Sequence, residues 1–362
     1  PTRFSTARLP FLSHIPDHTD LSFYHPGVAS HLIDCDVIHT TDAFFAFAKT
    51  ALKIARRHGI PLVNSIHTDT PALTQIYTAK TVERIFGQGL IKRLLLNGLK
   101  LHIRAERYMF RKLANHQRRC ASVLVSKSDD YERACRVLPA SKISFLRRGI
   151  DMTFFSPAKR DRAWLMNKFG IPQDRLVILF VGRLNQSKNI IVLAEAISQL
   201  IAQGLPLHLV CAGQGESRQN ILDRLGSRAS CPGMVLGDDL ANLYANADIF
   251  AMPSEIEIFC NVVQEALASG LPVALAERGG MGRLIIPGKT GAVVSGPVAS
   301  SWAATLKGLC SDRESLMIMS RAARAYAERE LPTWDDVLNQ DLLPVWQAAV
   351  AAKRNVRHGA AT

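Results

Sequence analysis

The sequence predicts an α/β protein built from two doubly wound domains, each a parallel sheet covered by helices. Three observations predict it. Short apolar runs alternate with segments of helical period. Those runs end in glycine-rich or polar turns. The chain has 362 residues, 48% hydrophobic and 21% charged, which suits two cores rather than one. The same composition excludes a mostly disordered chain. No apolar run reaches the roughly 18 residues that a membrane-spanning helix needs. Residues 1–10 are mixed and polar, without the pattern of a secretory signal.

In the second half the elements read clearly. Residues 176–182 are a continuous apolar run, as expected of a strand buried on both faces. Residues 189–203 then have helical spacing, with Ile190, Leu193, Ala194, Ile197, Leu200 and Ile201 on one face. A strand at 207–212, a helix at 218–225, a short strand at 234–236, a helical turn at 240–245 and a strand at 247–252 follow. A helix at about 260–269 and a strand at 271–276 complete the alternation. In the first half, strands are expected at 36–39, 60–66, 121–125 and 142–146, with a helix at 43–58. Residues 1–30 are rich in Pro and His and carry no readable pattern. The Gly- and Pro-bracketed turn at 148–157 marks the boundary. The expected parts are 1–155, 156–333 and a final helical segment, 334–362, that returns to the first domain.

The formal charge is +13 and it is unevenly placed. Residues 1–150 hold 23 basic and 11 acidic side chains, against 21 and 20 in the remainder. Residues 84–119 contain ten Lys/Arg and a single acid, Glu106. Lys100, Arg104, Arg107 and Arg111 are spaced to form one helical stripe, with Leu101, Ala105, Tyr108 and Met109 beside it. Such a surface fits an anionic phospholipid face better than nucleic acid, for which no recognised module is present. Seven cysteines, an odd number without a CxxC pair, give no sign of a disulfide framework or a zinc site and fit a reducing compartment.

The chemistry concentrates at predicted strand ends of the second half. Gly182, Arg183 and Lys188 follow the 176–182 strand: glycine admits close approach of an anion, and the cations neutralise it. Gly213 and Gly215 turn the chain after the next strand. Further on, Glu257 and Glu265 flank a helix start at Phe259, Cys260 and Asn261. Unpaired N–H groups there suit a phosphate, and the two carboxylates suit hydroxyl groups at its two ends. A nucleotide sugar has that layout. Gly288-Lys-Thr is not a P-loop, because Arg283 stands where a glycine is required, and Gly213-x-Gly215 lacks the third glycine of a dinucleotide fingerprint.

These segments, with Asp36–His39, Ile66-His67-Thr68-Asp69, Ser126, Arg148–Pro157, Ala247-Asp248 and Gly288–Gly291, resemble the retaining glycosyltransferases of the GT-B fold, family 4 (glycosyl transferases group 1). The resemblance covers residues 30–345. It implies two Rossmann-like domains with a cleft between them, the second binding a GDP- or UDP-linked donor. It implies that Arg183 and Lys188 stabilise the leaving diphosphate, that Glu265 holds the ribose, and that Glu257 holds the donor sugar with the backbone of Phe259, Cys260 and Asn261. His67 would reach the donor sugar or the acceptor, and Gly182, Gly213 and Leu236 would line the nucleotide site. The implied reaction moves a hexose, mannose or glucose, with retention and without a metal or other cofactor. Its implied acceptor is a lipid-linked or envelope glycan at the cytoplasmic face of a membrane. The sequence departs from the family in having Cys260 where glycine is usual and Arg283 where glutamate is usual. The family's first strand and glycine-rich loop have no counterpart, which implies an N-terminal truncation. A nucleotide-sugar epimerase or another GT-B enzyme is the alternative. A non-catalytic basic protein that binds membrane or nucleic acid is the alternative of another class.

Overall fold

The computed structural model describes residues 24–67, 69–255, 260–278 and 281–359. The chain forms two units: residues up to Arg147 with those from Val337 onward, and Arg148–Asp336.

The first unit holds a four-stranded parallel sheet in the order β1 (Ile38–Thr40), β2 (Leu62–Ser65), β3 (Ser122–Val125), β4 (Ile143–Phe145). On one face Ala51, Ile54 and Ala55 of the helix Ala46–His58 pack with Ile38, Leu62 and Val123. On the other, Val63 and Leu124 pack with Val337, Ala349 and Trp346 from the end of the chain. Arg147 fastens that segment, its guanidinium donating to Asp341 at 2.8 Å. The helix Leu101–Gln117 carries Arg104, Arg107 and Arg111 on its exposed side. Lys100 does not share its geometry: it is the N-cap, in the left-handed region at φ 50°. The cationic stripe therefore begins at Arg104, not at Lys100.

The second unit holds a six-stranded parallel sheet in the order β10-β9-β8-β5-β6-β7, with β5 Leu176–Val181, β6 Leu207–Ala212, β7 Ala229–Gly233, β8 Ile249–Met252, β9 Val273–Ala276 and β10 Gly291–Val294. Residues 176–180 of β5 and all of β6, β8 and β9 are buried, which is why they read as unbroken apolar runs. Residues 148–155, expected with the first domain, pack here: Ile150 and Phe155 join the core, and Ile150 N–H donates to the Pro332 carbonyl at 3.0 Å. Two edge elements depart from the expected pattern. The strand expected at 234–236 is a loop in which Met234 is 65% and Leu236 69% exposed. The strand lies earlier, at Ala229–Gly233, and includes Pro232, which only an edge position tolerates. β10, the opposite edge, was not expected from the sequence at all.

Asp248, at the amino-terminal side of β8, is structural. Its carboxylate accepts from Arg160 at 2.8 Å, from Arg162 at 3.1 Å and from the Val177 amide at 2.8 Å. It thus ties the helix Arg162–Phe169 to the ends of two strands, away from the carboxyl ends where ligands bind such sheets. Asp238 and Asp239 are likewise engaged, in ion pairs with Lys159 and Lys168. Among the described residues no helix is long and apolar enough to cross a membrane.

Candidate active site

The sheet order sets the site. From β5 the chain moves outward through β6 and β7, and then returns to place β8 on the other side of β5 before moving out to β9 and β10. The direction reverses between β5 and β8, and a crevice at their carboxyl ends is where doubly wound sheets bind ligands. Gly182, Arg183 and Lys188 follow β5; Cys260, Asn261 and Glu265 follow β8.

The loops after β5 and β6 are zipped together by backbone. Gly182 N–H donates to Ala212 O at 2.9 Å, Leu184 N–H to Gln214 O at 2.8 Å, and Ser217 N–H to Leu184 O at 2.9 Å. The approach is so close that a Cβ on Gly213 would collide with the Gly182 carbonyl, and one on Gly215 with that of Leu184. Glycine at 213 is therefore a packing requirement that fixes the Arg183 loop. A short turn, Gln186–Lys188, carries Lys188 to Asn189, which adopts φ 52° and opens the helix Ile190–Ala202. Asn189 donates its side-chain amide to Pro253 O at 3.3 Å, joining the loop after β5 to the loop after β8.

Beyond β8, Ser254 is fully buried and Cys260 is the buried N-cap of the helix Asn261–Ala268. Glu257 and Phe259 lie outside the described residues. Cys260, where glycine is usual in the family, has φ −113°, a conformation that needs no glycine. Glu265 stands in the second turn, on the half-buried side of the helix. Burial raises its carboxyl above the ordinary range, and Tyr244 counteracts this by favouring the carboxylate. Tyr244 is fully buried between Phe155 and Phe250, with ring centroids 5.6 and 5.8 Å away. Its own ionisation is suppressed by burial and by the nearby Glu265 charge. This neighbour of Glu265 has no sequence signature: 244 lies in a helix that reads as ordinary core. Arg283 is exposed in the turn Met281–Leu284. Leu236 sits in the exposed loop beyond β7, two strands from β5 in the sheet order. No cluster of three His, Cys, Asp or Glu suited to a metal ion occurs among the described residues.

His67 belongs to the first unit and follows β2. Its Nε2 is 2.6 Å from Ser65 Oγ, and Ser65 Oγ is 3.0 Å from His39 Nε2. Asp69 caps the helix Thr70–Phe86, accepting from Ala72 N–H at 3.1 Å, and pairs with Arg133 at 2.9 Å. The Arg148-Gly-Ile-Asp151 segment is a turn, in which Asp151 accepts from the Thr153 and Phe154 amides at 2.9 and 2.8 Å.

Comparison with known proteins agrees with this architecture. The family model for glycosyl transferases group 1 matches residues 161–326. A GDP-mannose-dependent alpha-mannosyltransferase of Mycobacterium tuberculosis (strain CDC 1551 / Oshkosh) is 30% identical over 259 residues, 71% of this chain and 60% of that protein. A D-inositol 3-phosphate glycosyltransferase of Arthrobacter sp. (strain FB24) is 28% identical over 304 residues, 81% of this chain and 66% of its own length. The chain thus spans about three fifths to two thirds of these curated relatives. Among solved structures, a glycosyltransferase from Rickettsia africae ESF-5 superposes with a TM-score of 0.66 at 17% identity, covering 97% of this chain and 84% of the other. Anabaena Alr3699/HepE, solved in complex with UDP, gives 0.63 at 18% identity over 91% of this chain and 81% of its own. The fold is GT-B, and residues 161–326 of the second unit match the glycosyl transferases group 1 family.

Proposed function

We propose that this chain transfers a hexose from a nucleoside diphosphate sugar to a hydroxyl group of an acceptor, with retention of anomeric configuration. The observation that carries the proposal is the sheet order: the loop of Arg183 and Lys188 follows β5, the Asn261–Ala268 helix with Glu265 in its second turn follows the adjacent β8, and the Asn189–Pro253 bond joins the two loops. Cations and helix-end N–H groups suit a diphosphate, and a carboxylate held ready inside the protein suits a ribose diol.

In this proposal the bond between the anomeric carbon and the diphosphate oxygen breaks. A bond to the acceptor oxygen forms, and the acceptor's proton passes to the departing diphosphate. Arg183 and Lys188 stabilise the charge that accumulates there, so a metal is not required for that role. Glu257 would orient the sugar hydroxyls. GDP-mannose, named for the Mycobacterium protein, and UDP-glucose, bound in a structure of the Anabaena protein, make mannose and glucose the first sugars to test. Discharge of GDP-[14C]mannose or UDP-[14C]glucose into a lipid or glycan acceptor fraction, lost in Glu265→Ala, is the direct assay. Interconversion of the free nucleotide sugar without acceptor would make it an epimerase instead.

A membrane-associated acceptor is supported by a separate surface. Ile85, Leu90, Ile91 and Leu94 are 62%, 81%, 54% and 61% exposed, interleaved with the exposed Arg84 and Arg93. Apolar side chains that insert among acyl chains, beside cations that meet anionic headgroups, are the two ingredients of interfacial docking. Flotation with phosphatidylglycerol vesicles tests it: Leu90→Ser with Leu94→Ser should abolish co-flotation, and unchanged flotation would contradict it.

A further inference from the structure

The first unit holds a pocket walled by three helices: the start of Thr70–Phe86, which follows β2, the end of Leu101–Gln117, and Ser128–Cys135, which follows β3. Helices that follow parallel strands begin at the strands' carboxyl ends, the side on which doubly wound sheets bind ligands. The inner space is about 20 Å³, room for one water-sized group. Phe110, Leu113 and Arg133 on its wall are partly exposed, so the pocket opens to solvent.

Two polar side chains of the wall are incompletely satisfied. Asp130 is 5% and Gln117 3% exposed. Asp130 Oδ1 lies 3.1 Å from Arg133 Nη2, while its Oδ2 is buried without a hydrogen-bond partner among the described residues. The buried Gln117 Nε2 has none among them either. Buried polar atoms are seldom left so, and a small group between these two would complete both. Asp69, also on the wall, is already engaged by the Ala72 amide and by Arg133 at 2.9 Å. Burial raises the Asp130 carboxyl above its ordinary range; Arg133 opposes the shift and Asp69 reinforces it.

The chemistry of the wall selects the group. A carboxylate only accepts and an amide nitrogen only donates, so a group that serves both must donate and accept. A hydroxyl does so, and still does so if the Gln117 amide is turned or Asp130 is protonated. An ammonium could not accept from Gln117 and would meet Arg133. A phosphate would meet two carboxylates, Asp69 and Asp130, against one guanidinium. Ile66, Phe110 and Leu113 make the neighbouring wall apolar, which suits the C–H face of a ring. We propose that this pocket binds a neutral polyol ring, a sugar or a cyclitol, which inserts one hydroxyl between Asp130 and Gln117 and rests its C–H face on Phe110 and Leu113. All of these residues belong to the first unit, so the site needs nothing from the donor site proposed in the second.

Saturation-transfer-difference NMR of the full chain with methyl α-D-mannopyranoside and with myo-inositol, each at millimolar concentration, tests the proposal. Transfer to the ring C–H protons of at least one probe is expected, and the probe that responds tells a sugar from a cyclitol. Asp130→Asn and Gln117→Leu should each weaken that binding roughly 10-fold, the loss that follows removal of a hydrogen bond to a charged or buried group. Gln117→Leu also deletes an unsatisfied amide, so it should not lower the melting temperature. Leu113→Phe enlarges a partly exposed wall residue without touching a polar group, and should block the same signal. Mannose 6-phosphate should bind more weakly than the neutral mannoside. No transfer to either neutral probe, the result if water alone fills the space, would overturn the proposal. Transfer at wild-type strength in all three variants, or transfer to mannose 6-phosphate as strong as to the mannoside, would also overturn it. The melting-temperature shift given by GDP- or UDP-sugars reads the donor site separately and should be the same in Asp130→Asn as in the wild type. Loss of that shift together with the polyol signal would overturn the assignment of a separate site.

Discussion

The Asn189 side-chain amide donates to the Pro253 carbonyl across 3.3 Å, and through this bond the loop that carries Lys188 is registered against the loop that leads to Glu265. Asn189 is also one of two non-glycine residues with positive φ among the described residues, a conformation that Asn and Gly tolerate best. The two demands can be separated. Asn189→Gly keeps the backbone and removes the bridge, so it should leave the melting temperature nearly unchanged while raising the KM for the nucleotide sugar roughly 3- to 10-fold, the equivalent of about 1 kcal/mol. Asn189→Ala should show the same KM defect together with a lowered melting temperature. An unchanged KM in both variants would remove the bridge from the binding account.

Glu265 is held in an environment that disfavours its charge, and donor binding needs that charge. Its folded-state pKa is raised, so the unliganded protein loses stability as pH rises through that raised value. Glu265→Gln should therefore melt no lower than the wild type, and somewhat higher, at neutral pH. The same substitution should weaken nucleotide-sugar binding by roughly 10- to 100-fold, because a charge-assisted hydrogen bond is worth about 1.5–3 kcal/mol. Wild-type affinity should fall with acidification at a higher pH than an exposed glutamate would produce, and the variant should lack that step. Calorimetric titration across pH measures both.

Two histidines whose pKa is lowered to about 4 predict the acid limb of stability. Burial lowers His39 and His208 to about 4, and for His208 the Arg175 and Arg228 charges add to the effect. Between the ordinary value of 6.5 and about 4 the unfolded chain binds protons that the folded chain refuses, so stability present above pH 6.5 is lost as pH falls toward 4. Each ring contributes on the order of 3 kcal/mol to that loss. Urea denaturation at a series of pH values should show a steep decline in this window, shallower in His208→Gln. A flat profile would contradict the neutral state assigned to these two rings.

Asp248 should matter for folding rather than for chemistry. Its side chain is 9% exposed and faces two guanidinium groups and one backbone amide. Asp248→Ala leaves those donors without an acceptor and should cost about 2–4 kcal/mol, with an unchanged KM for donor once folded. A donor-binding defect in the folded variant would place Asp248 in the site after all.

Much of this was legible in the sequence because buried parallel strands write themselves as apolar runs. β5, β6, β8 and β9 are each close to the expected positions, and Arg183, Lys188 and Glu265 fall at their carboxyl ends or just beyond. The edges were not legible. β7 contains Pro232 and small polar residues, since an edge strand has one unpaired side and little apolar surface to bury, and the more hydrophobic 234–236 drew the expectation away. The hydrogen-bonded line from Trp346 through His39 and Ser65 to His67 was invisible for another reason: it is made by register and by the return of a distant segment, and neither is encoded in local spacing. Tyr244 beside Glu265 is hidden in the same way.

The central claim is that the second unit binds a nucleoside diphosphate sugar at the β5/β8 reversal. Thermal denaturation of the full chain with a panel of GDP- and UDP-sugars tests it most directly. Ligand at 100 times its Kd adds about 2.7 kcal/mol of stability, which should raise the melting temperature by several degrees for one base, with the rise strongly reduced in Arg183→Ala and Glu265→Ala. No shift with any member of the panel at millimolar concentration, or an equal shift in those variants, would contradict the account.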